Sequence, residues 1–424
     1  RVLGMYSALS LRSADGGFGT SDPVAELPLI LEELAAPVPP PSGRPEAAEG
    51  APNIIFIVSE SFFDISRLPN VSFSRDPIPV FHSLQDRCVH GRFISNTYGG
   101  GTGYVEMEIM TGVTGALLRE GDTLSSLPPD CYDAMPSIVK LLDGAGYSAA
   151  AIHSHNDKLY NRRTIYPRIG YDRVLFSDDF PEDAEKRGPY ISDAAFADEI
   201  ISLYETDGSG ARFIYGMSME NHQPYNAEKY GFSSGIDISS PLLRSEDLPA
   251  LDALLVGLAD ADASLGKLIE YFSEREERVM LVFVGDHLPT LSLPSGDSVY
   301  SRLGLCSGAD SSLWEGDELL EMLSTDYLIW TNYPSGGAEE RRESCTFLGL
   351  DVMQRAGVPL NGYFKWLDTF VRPDMLMYRS RLFADGNGVT WHDVPEDSKP
   401  MLDAYRRVVR AVIYGEVPPS PEGE

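Results

Sequence analysis

A short apolar segment near residue 53 constrains the fold of this chain more than any other feature. Asn53-Ile54-Ile55-Phe56-Ile57-Val58 stops abruptly at Ser59-Glu60-Ser61. A run of β-branched and aromatic residues bounded by turn formers is typical of a fully buried strand. The residue just past the carboxyl end of a parallel strand faces the ligand crevice of an α/β sheet. Glu60 occupies that position, and a buried carboxylate is costly unless a cation meets it. We therefore expect Glu60 to face a metal ion.

Three further predicted strands end in residues that can carry chemistry. Residues 148–152 lead to His153, residues 212–219 to Glu220-Asn221-His222, and residues 278–284 to Gly285-Asp286-His287. A lone histidine after a strand is more often a hydrogen-bonded structural residue. Several such ends in one parallel sheet indicate a site instead, because the carboxyl edge is where α/β folds bind ligands.

Helical patterns separate these strands. Apolar spacing predicts helices over residues 137–142, 192–205, 251–272 and 401–413, and one more strand over residues 326–331. Strands that alternate with helices predict an α/β fold with a mostly parallel central sheet and helices on both faces. A smaller α+β part is expected at the C-terminus.

Proline content suggests the domain boundaries. Residues 1–50 are predicted to form an N-terminal segment, with a short helix over 28–35 and a stiff proline-rich linker over 37–43. The catalytic domain is predicted over 51–335. Residues 336–424 are predicted to form a C-terminal subdomain that ends in a disordered acidic tail.

Net charge and cysteine spacing exclude several classes of binding partner and of metal or redox site. The formal net charge of −30 argues against nucleic acid, which requires clustered Lys and Arg. It also disfavours simple electrostatic adhesion to an anionic membrane. The cysteines are widely spaced and form no CxxC pair, which argues against a zinc ribbon or a redox motif. Whether Cys306 and Cys345 pair stays open. No apolar run approaches the ~20 residues that span a bilayer, so we expect any anchor upstream of Arg1.

A glycine-rich stretch, Tyr98-Gly99-Gly100-Gly101-Thr102-Gly103-Tyr104, supplies the candidate nucleophile. By itself such a stretch is more often a flexible surface loop. Here a predicted helix follows it and places Thr102 near a helix N-terminus, where partial positive charge favours a phosphate or an alkoxide. Threonine needs a metal or a base for activation. Glu60, Asp286 and His287 are suited to hold one divalent metal, Mn²⁺ or Mg²⁺ by their oxygen-rich set, with Zn²⁺ as a further option.

The motif order resembles a known family over about residues 50–380. Ser59-Glu60-Ser61, Gly100-Gly101-Thr102, His153 with Tyr160-Asn161-Arg162, Glu220-Asn221-His222, and Gly285-Asp286-His287 follow one another. This order is similar to the extracellular catalytic domain of the lipoteichoic acid synthase and phosphoglycerol transferase group. That group belongs to the alkaline phosphatase and sulfatase superfamily.

The resemblance implies roles for individual residues. Glu60, Asp286 and His287 match the metal ligands of the family, and Thr102 matches its nucleophile and fourth ligand. Positions that hold phosphoglycerol are matched by His153, Tyr160, Arg162 and His222. Arg162 would be a fixed-fork phosphate donor, and either histidine could donate to a phosphoryl oxygen or act as a general acid.

The resemblance also implies substrates and a location. It implies Mn²⁺ first among the metals, a phosphatidylglycerol-like donor, a teichoic acid or cell-surface glycan acceptor, and the extracellular face of a bacterial membrane. Tyr160 stands where lipoteichoic acid synthases usually carry Trp, and Gly101 where they often carry Lys. Both departures concern the substrate pocket, so polymerisation and single addition of glycerol phosphate both remain open.

Three alternatives stay beside this hypothesis. A phosphatase or phosphodiesterase would use water in place of the acceptor alcohol. A sulfatase would carry a C/S-x-P-x-R motif, of which Cys88-Val89-His90-Gly91-Arg92 lacks the proline. A non-catalytic glycan-binding domain would have no use for a full set of metal ligands.

Overall fold

The computed structural model of the protein describes residues 44–206 and 210–416. The predicted helix over 28–35, the proline-rich linker over 37–43 and the tail beyond residue 416 lie outside these residues. Within the described ranges no helix is both long enough and apolar enough to cross a membrane.

The strands, numbered along the chain, divide between one large sheet and three small ones. They are β1 Asn53–Ser59, β2 Ser72–Phe73, β3 Val89–Ile94, β4 Ser148–His153, β5 Arg173–Leu175, β6 Lys186–Arg187, β7 Tyr190–Ile191, β8 Arg212–Met217, β9 Ile238–Ser239, β10 Val279–Gly285, β11 Ser324–Thr331, β12 Glu339–Glu340, β13 Glu343–Ser344, β14 Met377–Arg379, β15 Leu382–Ala384 and β16 Thr390–Trp391.

The α-helices connect these strands and cover the large sheet. They are α1 Pro79–Gln85, α2 Thr102–Thr111, α3 Pro129–Ala134, α4 Ile138–Gly144, α5 Arg162–Ile169, α6 Asp193–Thr206, α7 Leu248–Ser273, α8 Val299–Leu303, α9 Gly316–Met322, α10 Cys345–Ala356, α11 Gly362–Trp366 and α12 Lys399–Tyr414.

The large sheet is mostly parallel, as the alternation of elements predicts. Its order is β12-β3-β11-β10-β1-β8-β4-β5, with β13 also paired to β3. Strand β11 is antiparallel to both of its neighbours, and the remaining pairs are parallel. The carboxyl ends of β1, β3, β4, β8 and β10 therefore share one edge, which assembles the residues that follow them.

Strand β1 lies inside this sheet because its sequence is apolar on both faces. It pairs with β10 on one side and with β8 on the other. All seven of its residues are buried, as expected for a parallel strand covered by helices on both sides. The predicted buried strand over this segment is confirmed.

Element boundaries depart modestly from the sequence expectation. Strand β8 ends at Met217, two residues earlier than predicted, so Glu220 and His222 lie on the loop that follows. Helix α2 begins at Thr102 itself. The open cysteine question is answered as well, because all four cysteines are free and buried.

The two phenylalanines after Glu60 pack behind the site. Phe62 contacts Phe283 of β10 at 4.8 Å between ring centroids and Phe81 of α1 at 5.2 Å. Phe63 lies 6.3 Å from Tyr300. Apolar packing at this point anchors the turn that carries Glu60 to the sheet and to α1.

The chain beyond residue 335 contributes to the same core. Strands β12 and β13 pair with β3, and α10 packs against α2. Gly349 of α10 permits this approach, because a Cβ there would lie 2.1 Å from the carbonyl oxygen of Ile109. The predicted domain boundary at residue 335 stays a prediction. Strands β14, β15 and β16 form the separate small sheet of the C-terminal part.

A glycine on the long helix α7 controls how closely the loop after β8 approaches. A Cβ at Gly257 would lie 2.0 Å from Asn221 Oδ1 and 2.8 Å from the hydroxyl of Tyr230. A Cβ at Gly266, on the same helix, would meet only a Val80 methyl at 3.2 Å.

We expect Gly257→Ala to destabilise the fold by about 1–3 kcal/mol, because overpacking outweighs the gain in helix propensity. Gly266→Ala is the matched control and should lie within about 1 kcal/mol of wild type. Urea unfolding monitored by circular dichroism measures both. Equal stabilities of the two variants would contradict the close approach.

Histidine 82 on α1 ties this helix to the turn behind the site. Its ring nitrogens lie 3.2 Å from Asp64 Oδ2 and 2.8 Å from Asp76 Oδ2. The hydrogen bond to Asp64, opposed by partial burial, raises the pKa of His82 to about 9. The charged imidazole is therefore the form present at neutral pH.

The raised pKa makes a prediction about stability against pH. Its contribution is complete below about pH 6.5, the pKa in the unfolded chain, and is lost as the pH rises through about 9. Since His82 is partly exposed, we expect a contribution of about 1 kcal/mol. The difference in unfolding free energy between wild type and His82→Gln should shrink across that interval; a difference that is constant with pH would disprove the ion pair.

Candidate active site

Glu60, Asp286 and His287 meet at the carboxyl edge of the sheet, as the sequence predicted. Each offers one ligand atom, and these atoms all lie within 4.8 Å of one another. His287 Nε2 is 3.2 Å from Asp286 Oδ2 and 3.9 Å from Glu60 Oε1. All three side chains are buried. Adjacent strands β1 and β10 place them there, because Ser59 and Gly285 are paired in register.

Thr102 joins this cluster from the first turn of α2. Its Oγ1 donates to Asp286 Oδ2 at 2.7 Å and lies 3.5 Å from His287 Nε2. The side chain is 7% exposed. Because Thr102 is the first residue of the helix, its hydroxyl lies at the helix N-terminus, where partial positive charge is concentrated.

The glycine loop before Thr102 has an ordered, strained path. Gly99, Gly100 and Gly101 all have positive φ, at 68°, 148° and 96°. The Gly99 N–H donates to the Leu288 carbonyl at 2.8 Å, which ties the loop to the segment after β10. A side chain at Gly101 would collide with Thr97. Only glycine combines these φ values with such close contacts. The loop is therefore part of the site rather than a flexible surface segment.

Ser61, which the sequence analysis did not select, connects two of the acidic residues. Its Oγ donates to Glu60 Oε1 at 2.9 Å, and its N–H donates to Asp286 Oδ1 at 2.8 Å. Its φ of 55° is unusual for a residue with a side chain. Adjacency to Glu60 was the only signal of this role in the sequence.

The electrostatics of the cluster call for a cation. Burial, and then repulsion from Asp286, raise the pKa of Glu60 well above its usual range. Glu60 Oε2 is buried without a hydrogen-bond partner among the described residues. Two carboxylates, an imidazole nitrogen and a hydroxyl make a donor set that fits one divalent metal.

The orientation of His287 fits the same interpretation. Its Nδ1 lies 3.2 Å from the Leu288 carbonyl. Donation from Nδ1–H to that carbonyl leaves the lone pair of Nε2 directed at Asp286 and Thr102. Metal-ligating histidines are oriented in this way by a hydrogen bond from their other nitrogen.

Arg162, expected to be a phosphate donor, is largely committed inside the protein. Its Nε donates to Glu106 Oε2 at 3.0 Å, its Nη2 forms a short contact with Glu106 Oε1, and its Nη1 lies 3.3 Å from His153 Nε2. Glu106 follows Thr102 by four residues on α2. Each of the three guanidinium nitrogens thus has a partner inside the protein, and Tyr166 is a further partner of Arg162. The pattern of residue types did not reveal Glu106 as the partner.

His153 has both ring nitrogens occupied. Nδ1 lies 3.2 Å from the Met217 carbonyl, and Nε2 faces Arg162. Burial, then the charge of Arg162, lowers its pKa well below the usual range. A neutral His153 that donates from Nδ1 and accepts at Nε2 has no proton left to give. Of the two predicted histidines, His222 is therefore the better candidate for proton transfer.

Tyr160 lies against the first turn of α2. A Cβ at Gly103 would be 2.3 Å from Tyr160 Cγ, so the aromatic ring needs this glycine. The ring is 5.1 Å from the guanidinium of Arg162 and 5.6 Å from the ring of Tyr104. The tyrosine at this position thus forms a wall beside Thr102.

His222 is held by two residues on its Nδ1 side. Nδ1 is 2.8 Å from the Gln223 carbonyl and 3.1 Å from the hydroxyl of Tyr190. Tyr190, from the hairpin β6–β7, also packs edge-on against His155 with ring centroids 5.6 Å apart. Tyr190 was not predictable from the sequence, since a short hairpin inside a long connection has no recognisable pattern.

Comparison with known proteins identifies the family. The family model described as Sulfatase matches residues 52–358. This chain belongs to the sulfatase family. A relative from Rhizobium meliloti, named for cyclic β-1,2-glucan modification, is 30% identical over 311 residues, which are 73% of this chain and 46% of that protein. The chain thus spans about half the length of this curated relative.

Solved structures of this fold include two phosphoglycerol-related enzymes. The phosphoglycerol transferase GacH from Streptococcus pyogenes, in complex with sn-glycerol-1-phosphate, superimposes with a TM-score of 0.67 at 21% identity, covering 92% of both chains. The lipoteichoic acid synthase LtaP from Listeria monocytogenes gives a TM-score of 0.62 at 18% identity, covering 90% of this chain and 96% of its own. The fold is therefore that of the alkaline phosphatase superfamily, to which another structural neighbour, from Vibrio parahaemolyticus, is assigned.

We expect Glu60→Gln to lose the divalent metal, because the substitution removes one ligand charge and leaves the volume unchanged. Glu108→Gln is the matched control: Glu108, on α2, is also buried, but it accepts hydrogen bonds from Asn96 and from Thr346 of α10. Elemental analysis after dialysis against Mn²⁺ should show about one equivalent in wild type and Glu108→Gln, and far less in Glu60→Gln. Equal metal content in all three proteins would disprove the ligand set.

Proposed function

We propose that the protein is a metal-dependent phosphoglycerol transferase. It moves glycerol phosphate from a phosphatidylglycerol-like lipid to a hydroxyl of a teichoic acid or cell-surface glycan. The observation that carries the proposal is the placement of Thr102 Oγ1, 2.7 Å from Asp286 within the cluster of candidate metal ligands. A hydroxyl among metal ligands at a helix N-terminus is the arrangement of an activated nucleophile for phosphoryl transfer.

The proposed transfer has two steps, and different residues of the chain contribute to each. Glu60, Thr102, Asp286 and His287 would hold one divalent metal, Mn²⁺ first, which lowers the pKa of the bound hydroxyl and neutralises phosphoryl charge. Thr102 Oγ attacks phosphorus, the bond from phosphorus to the diacylglycerol oxygen breaks, and a glycerophosphothreonine remains. An acceptor hydroxyl then attacks the same phosphorus and releases Thr102.

Other side chains of the site position the substrate and move protons. The backbone N–H groups at the start of α2 and the positive charge of Arg162 would stabilise developing negative charge. His222, with Nδ1 held by Gln223 and Tyr190, presents Nε2 to take up the proton of the attacking hydroxyl and to pass it to the leaving oxygen. In the first step that proton goes from Thr102 to diacylglycerol, and in the second it goes from the acceptor to Thr102. Tyr160 supports the glycerol group from the side of α2.

The relatives support the transferred group and the class of acceptor. A phosphoglycerol transferase bound to glycerol phosphate and a lipoteichoic acid synthase share this fold, and the Rhizobium relative is named for glucan modification. Such chemistry belongs at the extracellular face of a bacterial membrane, with an anchor upstream of these residues. The proposed donor is a membrane lipid, and nucleic acid has no place in this chemistry.

The sulfatase alternative is disfavoured by the position of Cys88. Cys88 is buried just before the amino end of β3, whereas Thr102 follows the carboxyl end of that strand. The six residues of β3 separate Cys88 from Ser95, a distance of roughly 20 Å. The cysteine of the sulfatase-like motif therefore does not reach the metal cluster.

We expect Thr102→Ala to abolish the covalent intermediate, because the attacking oxygen is absent. Incubation of the manganese-loaded protein with phosphatidylglycerol, without acceptor, should give a mass increase of one glycerophosphoryl group in wild type. Thr111→Val removes a buried hydroxyl from the same helix and should retain the adduct. An adduct on Thr102→Ala would refute the nucleophile assignment.

Transfer and hydrolysis are separated by adding an acceptor. A transferase should release diacylglycerol faster when cyclic β-1,2-glucan or glycerol-phosphate oligomers are present, and it should label them. A phosphodiesterase should release diacylglycerol at one rate in all conditions and form free glycerol phosphate.

A further inference from the structure

Lys229 is a buried cation beside the metal-ligand cluster that the proposed mechanism does not use. Its side chain is 7% exposed, and its Nζ has no hydrogen-bond partner among the described residues. The loop Glu220–Tyr230, which also carries His222, delivers Lys229 to this position. A lysine buried without a hydrogen bond is costly, so its surroundings must compensate by charge.

The groups around Nζ are of the kind that bind alkylammonium ions. We call them the cage: the rings of Tyr225 and Tyr230 and the carboxyl groups of Glu60, Asp193 and Glu220. The ring centroids of Tyr225 and Tyr230 lie 4.6 Å and 4.7 Å from Nζ. Burial lowers the pKa of Lys229 to about 8, against the attraction of the nearby carboxyl groups of Glu220, Glu60 and Asp193. Aromatic faces combined with carboxylates recognise ammonium groups through cation–π and Coulomb attraction.

The carboxylates of the cage have oxygens free to face an ammonium. Glu60 Oε2 and Glu220 Oε1 are buried without hydrogen-bond partners among the described residues. Glu60 belongs to both groups, since it is also a candidate metal ligand. The cage is therefore adjacent to the place where a donor phosphate would sit.

The protein backbone holds Lys229 firmly in the cage. Gly188, in the hairpin β6–β7, has a φ of 56°, and a Cβ there would lie 2.5 Å from the Lys229 carbonyl oxygen. The Tyr230 hydroxyl lies 3.3 Å from the Glu220 carbonyl, which closes the loop on itself. The same hairpin carries Tyr190 to His222, so the cage and the pocket wall are built by the same two segments.

We propose that the ammonium group of Lys229 occupies the cage that could otherwise bind the ammonium group of a substrate. Lys229 thereby selects lipid donors with an uncharged headgroup. The proposal rests on the proposed function and specifies its donor. An ethanolamine headgroup would bring a second ammonium next to Lys229 and find the carboxylates already neutralised. Glycerol carries hydroxyls, which suit the imidazole and phenol groups of His222 and Tyr190.

Donor selectivity tests the proposal. The donors are phosphatidylglycerol, phosphatidylethanolamine and N-acetylated phosphatidylethanolamine, whose headgroup has lost its charge, each in mixed micelles with the manganese-loaded protein. Release of diacylglycerol gives kcat/KM for each. Wild type should prefer phosphatidylglycerol and N-acetylated phosphatidylethanolamine over phosphatidylethanolamine.

In Lys229→Met, which keeps the volume and removes the charge, the ratio of phosphatidylethanolamine to phosphatidylglycerol use should rise about tenfold. Lys229→Arg should keep the wild-type ratio. An unchanged ratio in Lys229→Met would overturn the role of Lys229 in selectivity.

A binding experiment without turnover tests the cage separately. Metal-free Lys229→Ala should be stabilised by ethylammonium chloride relative to sodium chloride at equal ionic strength, with a Tm higher by about 2 °C or more. Wild type should show no such difference, and neither should Lys267→Ala, which removes an exposed lysine paired with Asp198 on the surface.

The outcomes separate the two proposals. If Lys229→Ala folds only in ethylammonium chloride, the cage is supported; if its folding is the same in both salts, the cage is overturned. If wild type uses none of the three donors, the proposed function fails, and the ethylammonium experiment still decides whether the cage exists.

Discussion

The repulsion between buried carboxylates at the ends of β1 and β10 is the constraint on which the rest of the structure depends. Glu60 and Asp286 follow paired residues of neighbouring strands, so backbone pairing brings the two side chains together even though both can be negatively charged. Burial raises the cost of placing two negative groups side by side. The fold responds with Ser61 and Thr102 as hydrogen-bond donors, with His287 turned toward the cluster, and with a place for a divalent cation.

A second set of buried charges follows the same logic at a greater distance from Thr102. Glu106 is compensated by Arg162 and Tyr166, and the carboxylates around Lys229 by its ammonium group. Two buried cations, Arg162 and Lys229, therefore attract the acidic cluster of the site. Such charges cost stability unless their partners are held in place, which explains the close contacts made by glycines in the segments around them.

Much of the fold and part of the site were predictable because residues that follow the carboxyl ends of parallel strands lie at one edge of the sheet. The apolar run before Glu60 and the similar runs before His153 and Asp286 predicted both a parallel sheet and the edge at which its ligands lie. Thr102 was predictable from the glycines before it. Ser61, Tyr190 and Lys229 were not, since serine, tyrosine and lysine in connecting segments are common and have no periodic pattern.

The sequence by itself determined which residues stand at the carboxyl ends of buried strands, because apolar runs and turn formers encode strand position locally. Only the tertiary structure decided which of those residues are free to act. Arg162 and His153 have suitable chemistry, yet contacts with Glu106 and the Met217 carbonyl engage them, whereas His222 keeps Nε2 available. The physical reason is that a hydrogen-bonding group is used by whichever partner lies nearest in space, and distance along the chain does not report that partner.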